Sequence, residues 1–240
     1  MQRSDGNCPL IALVNLVCLQ QRIELPKTLN PNELLSLAVE LYPEMTELIF
    51  NHSEELLKGS FVDPMFKGIF DFNECLLLKF NIPIVHGWVL DPNDPLSNKL
   101  TGYDQGTMLM TKSPEDDAIK FLNCNQLTIN GLQALYQLEP TPFLGILFRN
   151  NHFNVLYKRG QGQLYQLVTD EGFRNTSITW ETLALDGDSS YFDADFHPRQ
   201  QSIDGLNRDR SNENTSRNST EVKAENHQTI AENKHNCMLQ

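Results

Sequence analysis

The sequence predicts an α+β domain followed by a disordered polar tail. Three observations carry this reading. Helix signals fill the first part of the chain, strand signals cluster between residues 143 and 168, and no Phe, Trp or Tyr follows Phe196. Helices first and an antiparallel sheet later is α+β organisation, unlike the regular alternation that builds a parallel α/β sheet. At 240 residues, 40% hydrophobic and 21% charged, the chain has the composition of a globular protein with enough apolar material for a sizeable core. Residues 1–198 read as one domain. Residues 199–240 read as a tail too poor in apolar side chains to offset the entropy of ordering them.

The elements follow in order. Pro9 suits the first helical turn, where its missing N–H is no loss. Leu10, Leu13, Val14 and Val17 then repeat at i, i+3, i+4 and i+7, an apolar helical stripe. A second helix begins at Asn30 as N-cap, with Pro31 and Glu33 behind it, and runs to about Tyr42, before Pro43. Residues 44–58 predict a third, stopped by Gly59. Residues 92–112, rich in Pro, Gly, Asn and Asp, predict a loop. Ser113-Pro114-Glu115-Asp116 starts a short helix, and residues 128–138 form another. Ile82 to Leu90 is a strand candidate. Phe143 to Phe148 is a short apolar run bounded by Pro142, and the extended pattern resumes from His152 to Tyr157. Gly160-Gln161-Gly162 is a turn, and Leu164 to Val168 is the return strand.

Charge and cysteine usage exclude several classes. Acidic residues outnumber basic ones 31 to 19, a net charge of −12, and the tail's six basic and six acidic residues cancel, so residues 1–198 carry all of it. A nucleic-acid binder needs a phosphate-neutralising basic surface, which argues against that class. No apolar run approaches the roughly 18 residues of a membrane span. Cys8, Cys18, Cys75, Cys124 and Cys237 are odd in number and lack the close spacing of a zinc or redox pair. A reducing, cytoplasmic compartment is expected rather than a secreted disulfide scaffold. Arg3 and the apolar stretch from Pro9 to Leu19 loosely mimic a signal peptide, but Asp5 and Asn15 interrupt it and no small-x-small cleavage site follows.

The local chemistry centres on Cys8. A thiol at a helix N-terminus faces unpaired N–H groups and the positive end of the helix dipole, and both favour thiolate. Gly6 lets a substrate approach the backbone closely. Gln2, six residues earlier, can reach forward with its amide and, with the Cys8 N–H, form an oxyanion hole. The competing reading is an inert buried thiol, since free Cys is among the most buried residue types. A thiol protease also needs an imidazole. Of the six histidines, His227 and His235 lie in the tail, His52 sits among Glu54 and Glu55, His86 ends a strand, and His197 precedes Pro198. His152 opens a strand beside apolar runs, the usual placement of a base facing a Cys at a helix start. Asp170 and Asn150 are the two candidates for a third, orienting residue, and turn or capping roles compete for both.

Taken together, these residues resemble the MINDY family of deubiquitinases, cysteine proteases that trim lysine-48-linked polyubiquitin. Gln2, Cys8, Pro9 and Leu10 with the helix behind them and Leu25-Pro26 are similar to the family's catalytic segment. Ile82-Pro83, His86-Gly87-Trp88 and Asp91-Pro92 resemble its middle. Phe148-Arg149-Asn150-Asn151-His152-Phe153 matches its histidine motif. Leu167-Val168-Thr169-Asp170, Gly172-Phe173, Trp180-Glu181, Asp186-Gly187-Asp188-Ser189 and Asp195-Phe196-His197 follow in the family's order, so the likeness covers residues 2–197.

The resemblance implies a papain-like cysteine-protease variant with Cys8 as nucleophile, His152 as base and then acid, and Gln2 as oxyanion donor. It implies ubiquitin and polyubiquitin as partners, docked on exposed aromatics that would fall at Trp88 and Phe148. Both could equally be core residues, where large aromatics usually go. It implies no metal and no organic cofactor, and a monomer is expected. Asp5-Gly6-Asn7-Cys8 departs from the family's usual segment and is also similar to OTU-type deubiquitinases, which are again ubiquitin thiol proteases. The family domain begins with strands upstream of the Gln, whereas Met1 alone precedes Gln2 here. A catalytically weak ubiquitin-binding module is therefore the alternative to an active hydrolase. Cys237-Met238-Leu239-Gln240 fits the C-a-a-X prenylation pattern. With no second lipid signal or basic stretch, a single prenyl chain at Cys237 would anchor only weakly to a membrane.

Overall fold

The first helix is apolar on nearly every side, and the domain is built around it. The computed structural model describes residues 9–25, 29–112, 115–160, 162–185 and 189–199. Helix α1 spans Pro9–Gln21, and Leu10, Ala12, Leu13, Val14, Leu16, Val17 and Cys18 are all buried. Burial of adjacent positions is more than one stripe can give, so α1 is covered from several directions. Helix α2 (Pro31–Leu41) packs on it, and its start carries the expected capping box. Asn30 Oδ1 accepts the Asn32 and Glu33 N–H groups (3.0 Å each) while Glu33 Oε2 accepts the Asn30 N–H (2.7 Å). The expected third helix is broken at His52 into α3 (Thr46–Asn51) and α4 (Ser53–Lys58), and Gly59 ends it at φ 124°.

Strands β1 (Val62–Pro64) and β2 (Phe72–Cys75) form a small antiparallel pair. A second sheet runs β3-β4-β5-β6-β7-β8-β9. Its members are β3 (Ile84–His86), β4 (Phe143–Arg149), β5 (His152–Arg159), β6 (Gln163–Leu167), β7 (Trp180–Thr182), β8 (Tyr191–Phe192) and β9 (Pro198–Arg199). Every neighbour pair from β4 onward is antiparallel, but β3 lies parallel to β4, with Ile84 opposite Ile146 and His86 opposite Phe148. The fold is α+β with a mixed sheet, which corrects the purely antiparallel expectation. Parallel neighbours need a long crossover, and here the chain between β3 and β4 supplies it. That stretch holds α5 (Tyr103–Lys112), α6 (Asp116–Leu122) and α7 (Ile129–Tyr136).

Helix α5 and the 3-10 turn at Pro95–Asn98 overturn the loop expected over residues 92–112. The reason is a cap that comes from elsewhere in the chain. Buried Asp63 of β1 accepts the Asp104 N–H at the helix start (2.9 Å) and the Asn73 side-chain amide (3.0 Å). Gly102 and Gly106, poor helix formers by themselves, hide the helix from a local reading. The strand expected over residues 82–90 shortens to Ile84–His86 because the chain beyond finds other partners. Gly87 O accepts the Thr128 N–H (2.9 Å), and the Leu90 N–H donates to Phe66 O (2.9 Å).

Three apolar clusters result. The largest joins α1, α2, α3 and α4 to Ile146, Phe148, Phe153 and Val155 of β4 and β5. The second lies between the sheet and α7, with Val85, Leu127, Leu135, Leu147 and Leu156. The third gathers Phe66, Trp88, Leu100 and Phe121. Among the described residues no helix is long and apolar enough to cross a membrane.

Helix α7 is pressed against the chain just past β3. Thr128 caps it, its hydroxyl accepting the Gly131 N–H (3.0 Å) and donating to Val89 O (2.6 Å). A Cβ on Gly131 would lie 1.8 Å from Gly87 O, and backbone cannot swing aside as a side-chain tip can. Gly131→Ala should therefore destabilise the domain by roughly 3 kcal/mol, at the upper end of ordinary overpacking. Chemical denaturation measures this, and a variant within about 0.5 kcal/mol of the parent, a typical surface-substitution effect, would show that the contact relaxes freely.

Candidate active site

His152 stands at the rim of the sheet because of a two-residue turn. Asn150 and Asn151 connect β4 to β5 with φ of 52° and 58°. Left-handed values at both positions mark the primed turn whose twist matches a hairpin, and Asn tolerates them better than most side chains. The ladder then begins with His152 opposite Arg149, and Phe153 opposite Phe148. His152 is half-buried. Phe153 and Val155, alternating with it, enter the cluster that holds Leu10, Leu13 and Val14 of α1. Helix α1, whose Pro9 follows Cys8 directly in sequence, packs against both β4 and β5.

The turn is held from outside the hairpin by Asn125 and Gln126. Gln126 Oε1 accepts the Asn151 N–H (3.1 Å), and Gln126 Nε2 donates to Asn151 Oδ1 (3.1 Å). Arg149 donates from Nε to Asn125 O (3.2 Å) and from Nη2 to Ala184 O (3.1 Å). Asn125 in turn donates from Nδ2 to Leu185 O (2.6 Å) and accepts the Leu127 N–H (3.2 Å). Nothing local flags Asn125 or Gln126, since their only sequence signal is proximity to the Thr128 cap. Burial pulls the Arg149 guanidinium below its ordinary pKa, with Glu181 opposing that. Glu181 in turn is raised by burial, with the Gln166 amide that donates to it and Arg149 both pulling it down.

Of the orienting candidates, Asn150 is the first left-handed residue of the turn. Asp170 lies just past β6, where its Oδ1 accepts the Gly172 N–H (2.6 Å). The β5–β6 register pairs Leu156 with Gln166 and Tyr157 with Tyr165. The Thr169 hydroxyl still reaches Asn154 Oδ1 at 3.3 Å, so the chain follows β5 this far.

Trp88 and Phe148 are not surface residues. Trp88 is 1% exposed, and its Nε1 donates to Phe121 O (3.1 Å) within the third cluster. Phe148 is 4% exposed and stacks near Phe153 (5.1 Å between ring centres). As placed here, neither presents a ring to a partner. Both are rings of interior apolar clusters, which corrects the expectation that they form an exposed aromatic surface. Cys8, Gln2 and Cys237 lie outside the described residues, as does the expected tail from residue 200 onward.

His86 is fully buried. Its Nδ1 accepts the Trp88 N–H (3.1 Å), so Nε2 carries the proton and donates to Asp71 O (3.1 Å). Burial drives its pKa down to about 4, so the ring is uncharged near neutral pH. Burial raises the Cys18 thiol, and raises Cys75 to about 11, so both are inert packing thiols. Asp193, Asp195 and His197 bring possible metal-ligating atoms within 4.8 Å of one another. Asp193 is already committed, however. Its Oδ1 accepts the Asp195 and His197 N–H groups and its Oδ2 accepts both Arg199 donors. These bonds, the His197 N–H foremost, hold its pKa down to about 2. Through these bonds the Asp193 carboxylate ties Arg199 of β9 to the preceding turn.

The family model described as MINDY deubiquitinase matches residues 1–120 and 115–196. The chain is 32% identical over 236 residues to ubiquitin carboxyl-terminal hydrolase MINDY-1 of Pongo abelii, covering 82% of this chain and 50% of that protein. Against MINDY-1 of Homo sapiens the identity is 31%, with the same coverage. Against MINDY-2 of Mus musculus it is 30% over 241 residues, covering 84% of this chain and 40% of the relative. The chain thus spans about half the length, or less, of the curated relatives it matches.

The buried neutral His86 makes stability depend on pH. Unfolded, the ring takes up a proton near its ordinary value of 6.5; folded, it resists until about 4. Its contribution is therefore complete above about pH 6.5 and is lost as pH falls toward 4, at about 1 kcal/mol per pH unit. Urea unfolding at pH 7, 6 and 5 should show this slope in the parent and a flatter one in His86→Asn. Equal slopes would mean that another group carries the effect.

Proposed function

The chain belongs to the MINDY deubiquitinase family, and on that premise we propose that it is a thiol-dependent hydrolase of polyubiquitin, acting on lysine-48-linked chains. Cys8 is the nucleophile, His152 the base and then the acid, and Gln2 the oxyanion donor. The supporting observation is the packing of α1 directly on β4 and β5. The helix that Cys8 immediately precedes lies against the strand that His152 opens.

The chemistry follows from those groups. Ubiquitin's flexible C-terminal tail lies between the helix start and the His152 strand. His152 and the helix dipole favour the Cys8 thiolate, which attacks the glycine carbonyl of the isopeptide bond. The carbonyl electron pair moves onto oxygen, where the Gln2 amide and the Cys8 N–H stabilise it. Collapse of this intermediate breaks the C–N bond, and the imidazolium gives its proton to the departing lysine amine. The imidazole then takes a proton from water, whose oxygen attacks the thioester and frees the ubiquitin carboxylate. Asp170, next to the Thr169 whose hydroxyl reaches Asn154 of β5, is the favoured orienting group for the ring. A cytoplasmic location suits a thiol that must stay reduced, and a prenyl group on Cys237 would add weak membrane attachment.

A ubiquitin derivative with a C-terminal electrophile should label the protein at one site. Cys8→Ser and His152→Ala should each abolish cleavage of lysine-48-linked tetraubiquitin. Gln2→Ala should lower kcat by about 10²–10³, the usual effect of losing one oxyanion donor. Undiminished labelling of Cys8→Ser would displace Cys8 as nucleophile. Labelled ubiquitin bound but not cut by the parent protein would favour a binding module.

A further inference from the structure

We infer that Gln126 is a positioning residue for the His152 imidazole, acting through Asn151. This rests on the reading of His152 as the catalytic base. A base at a hairpin tip is poorly placed by its own strand, because loop tips are the most mobile part of a hairpin. Productive proton transfer, however, needs donor and acceptor within about 3 Å. Something must fix the tip, and the hairpin's own hydrogen bonds end at the Arg149–His152 pair.

Gln126 meets that need from outside the hairpin. Its carboxamide closes a ring with Asn151, accepting the backbone N–H and donating to the side-chain oxygen at 3.1 Å each. Both hydrogen bonds fall on the residue immediately before His152. The residue across the ladder, Arg149, is tied to the neighbouring Asn125 carbonyl (3.2 Å). His152 is thus bracketed, along the chain and across it, by residues fastened to the same two-residue segment. That segment is itself anchored, Asn125 Nδ2 donating to Leu185 O (2.6 Å). Gln126 is 8% exposed and holds a left-handed backbone, φ 56°, unusual for a Gln. Thr128, two residues on, caps α7. A long side chain committed in a strained backbone to the turn beside the base is more than packing requires.

The test compares four forms of the full chain on tetraubiquitin: parent, Gln126→Ala, Asn151→Gly and His152→Ala. Rates are normalised to sites titrated by the ubiquitin electrophile. Gln126→Ala removes both bonds and should lower kcat by about 10- to 100-fold, the scale of an ångström of misplacement, with KM within about twofold. The acid limb of its kcat–pH profile and the pH dependence of Cys8 alkylation by iodoacetamide should shift together. A purely stabilising contact would move neither. Asn151→Gly keeps the left-handed turn and the backbone bond while losing the side-chain bond, so its kcat should fall between parent and Gln126→Ala. If Gln126→Ala does not fold, Asn151→Gly decides alone. Parental kcat and parental pH profiles in the folded variants would overturn the inference, as would a raised KM at unchanged kcat. If instead His152→Ala still cleaves, the assignment of the base fails and not only the role of Gln126.

Discussion

The contact on which the rest depends is the face between α1 and the two strands β4 and β5. Leu10, Leu13 and Val14 on the helix and Ile146, Phe148, Phe153 and Val155 on the strands belong to one buried cluster. Fully burying a side chain of this size is worth about 1.5–3 kcal/mol, so seven together outweigh any surface interaction in the domain. Helices α2 and α4 also pack on α1, and α3 packs on both of them. The remaining strands extend the sheet from β4 and β5. The same apolar face that holds the fold together is thus the one that joins the proposed nucleophile's helix to the proposed base's strand.

At the sheet rim, where apolar packing stops, polar interactions hold the chain. The Asn150–Asn151 turn leaves its backbone groups without ladder partners, and Gln126 supplies two hydrogen bonds there. Arg149 spans two carbonyls from two different segments. Each bond of this kind contributes only about 1 kcal/mol net. Their value lies in direction, since an amide pair fixes a turn in a way that apolar contact does not. The Asp63 carboxylate does similar service for α5 and Asp193 for β9.

Burial also sorts side chains of one type into different roles. His86 and His152 are both strand histidines within the resemblance motifs. His86 is sealed in with both ring nitrogens engaged and its charged form suppressed, while His152 is half-buried at a turn. Cys18 and Cys75 are held protonated by the same desolvation that suppresses charge on His86. Trp88, in a motif expected at a docking surface, anchors the third cluster instead through its ring and its bond to Phe121.

The amino-acid sequence by itself determined the features whose signals are local. The α2 capping box, the hairpin from His152 through the Gly160–Gly162 turn, the helix after Thr128 and the α+β class each rest on residues within a few positions of one another. The tertiary structure alone decided the rest. The parallel pairing of β3 with β4, the existence of α5, the burial of Trp88 and Phe148, and the Gln126 clamp all join residues far apart in the chain. Asp63 caps Asp104 across 41 positions, and Gln126 meets Asn151 across 25. Periodicity and propensity report only which face a residue would turn inward, and what it meets there is set by the chain that folds over it.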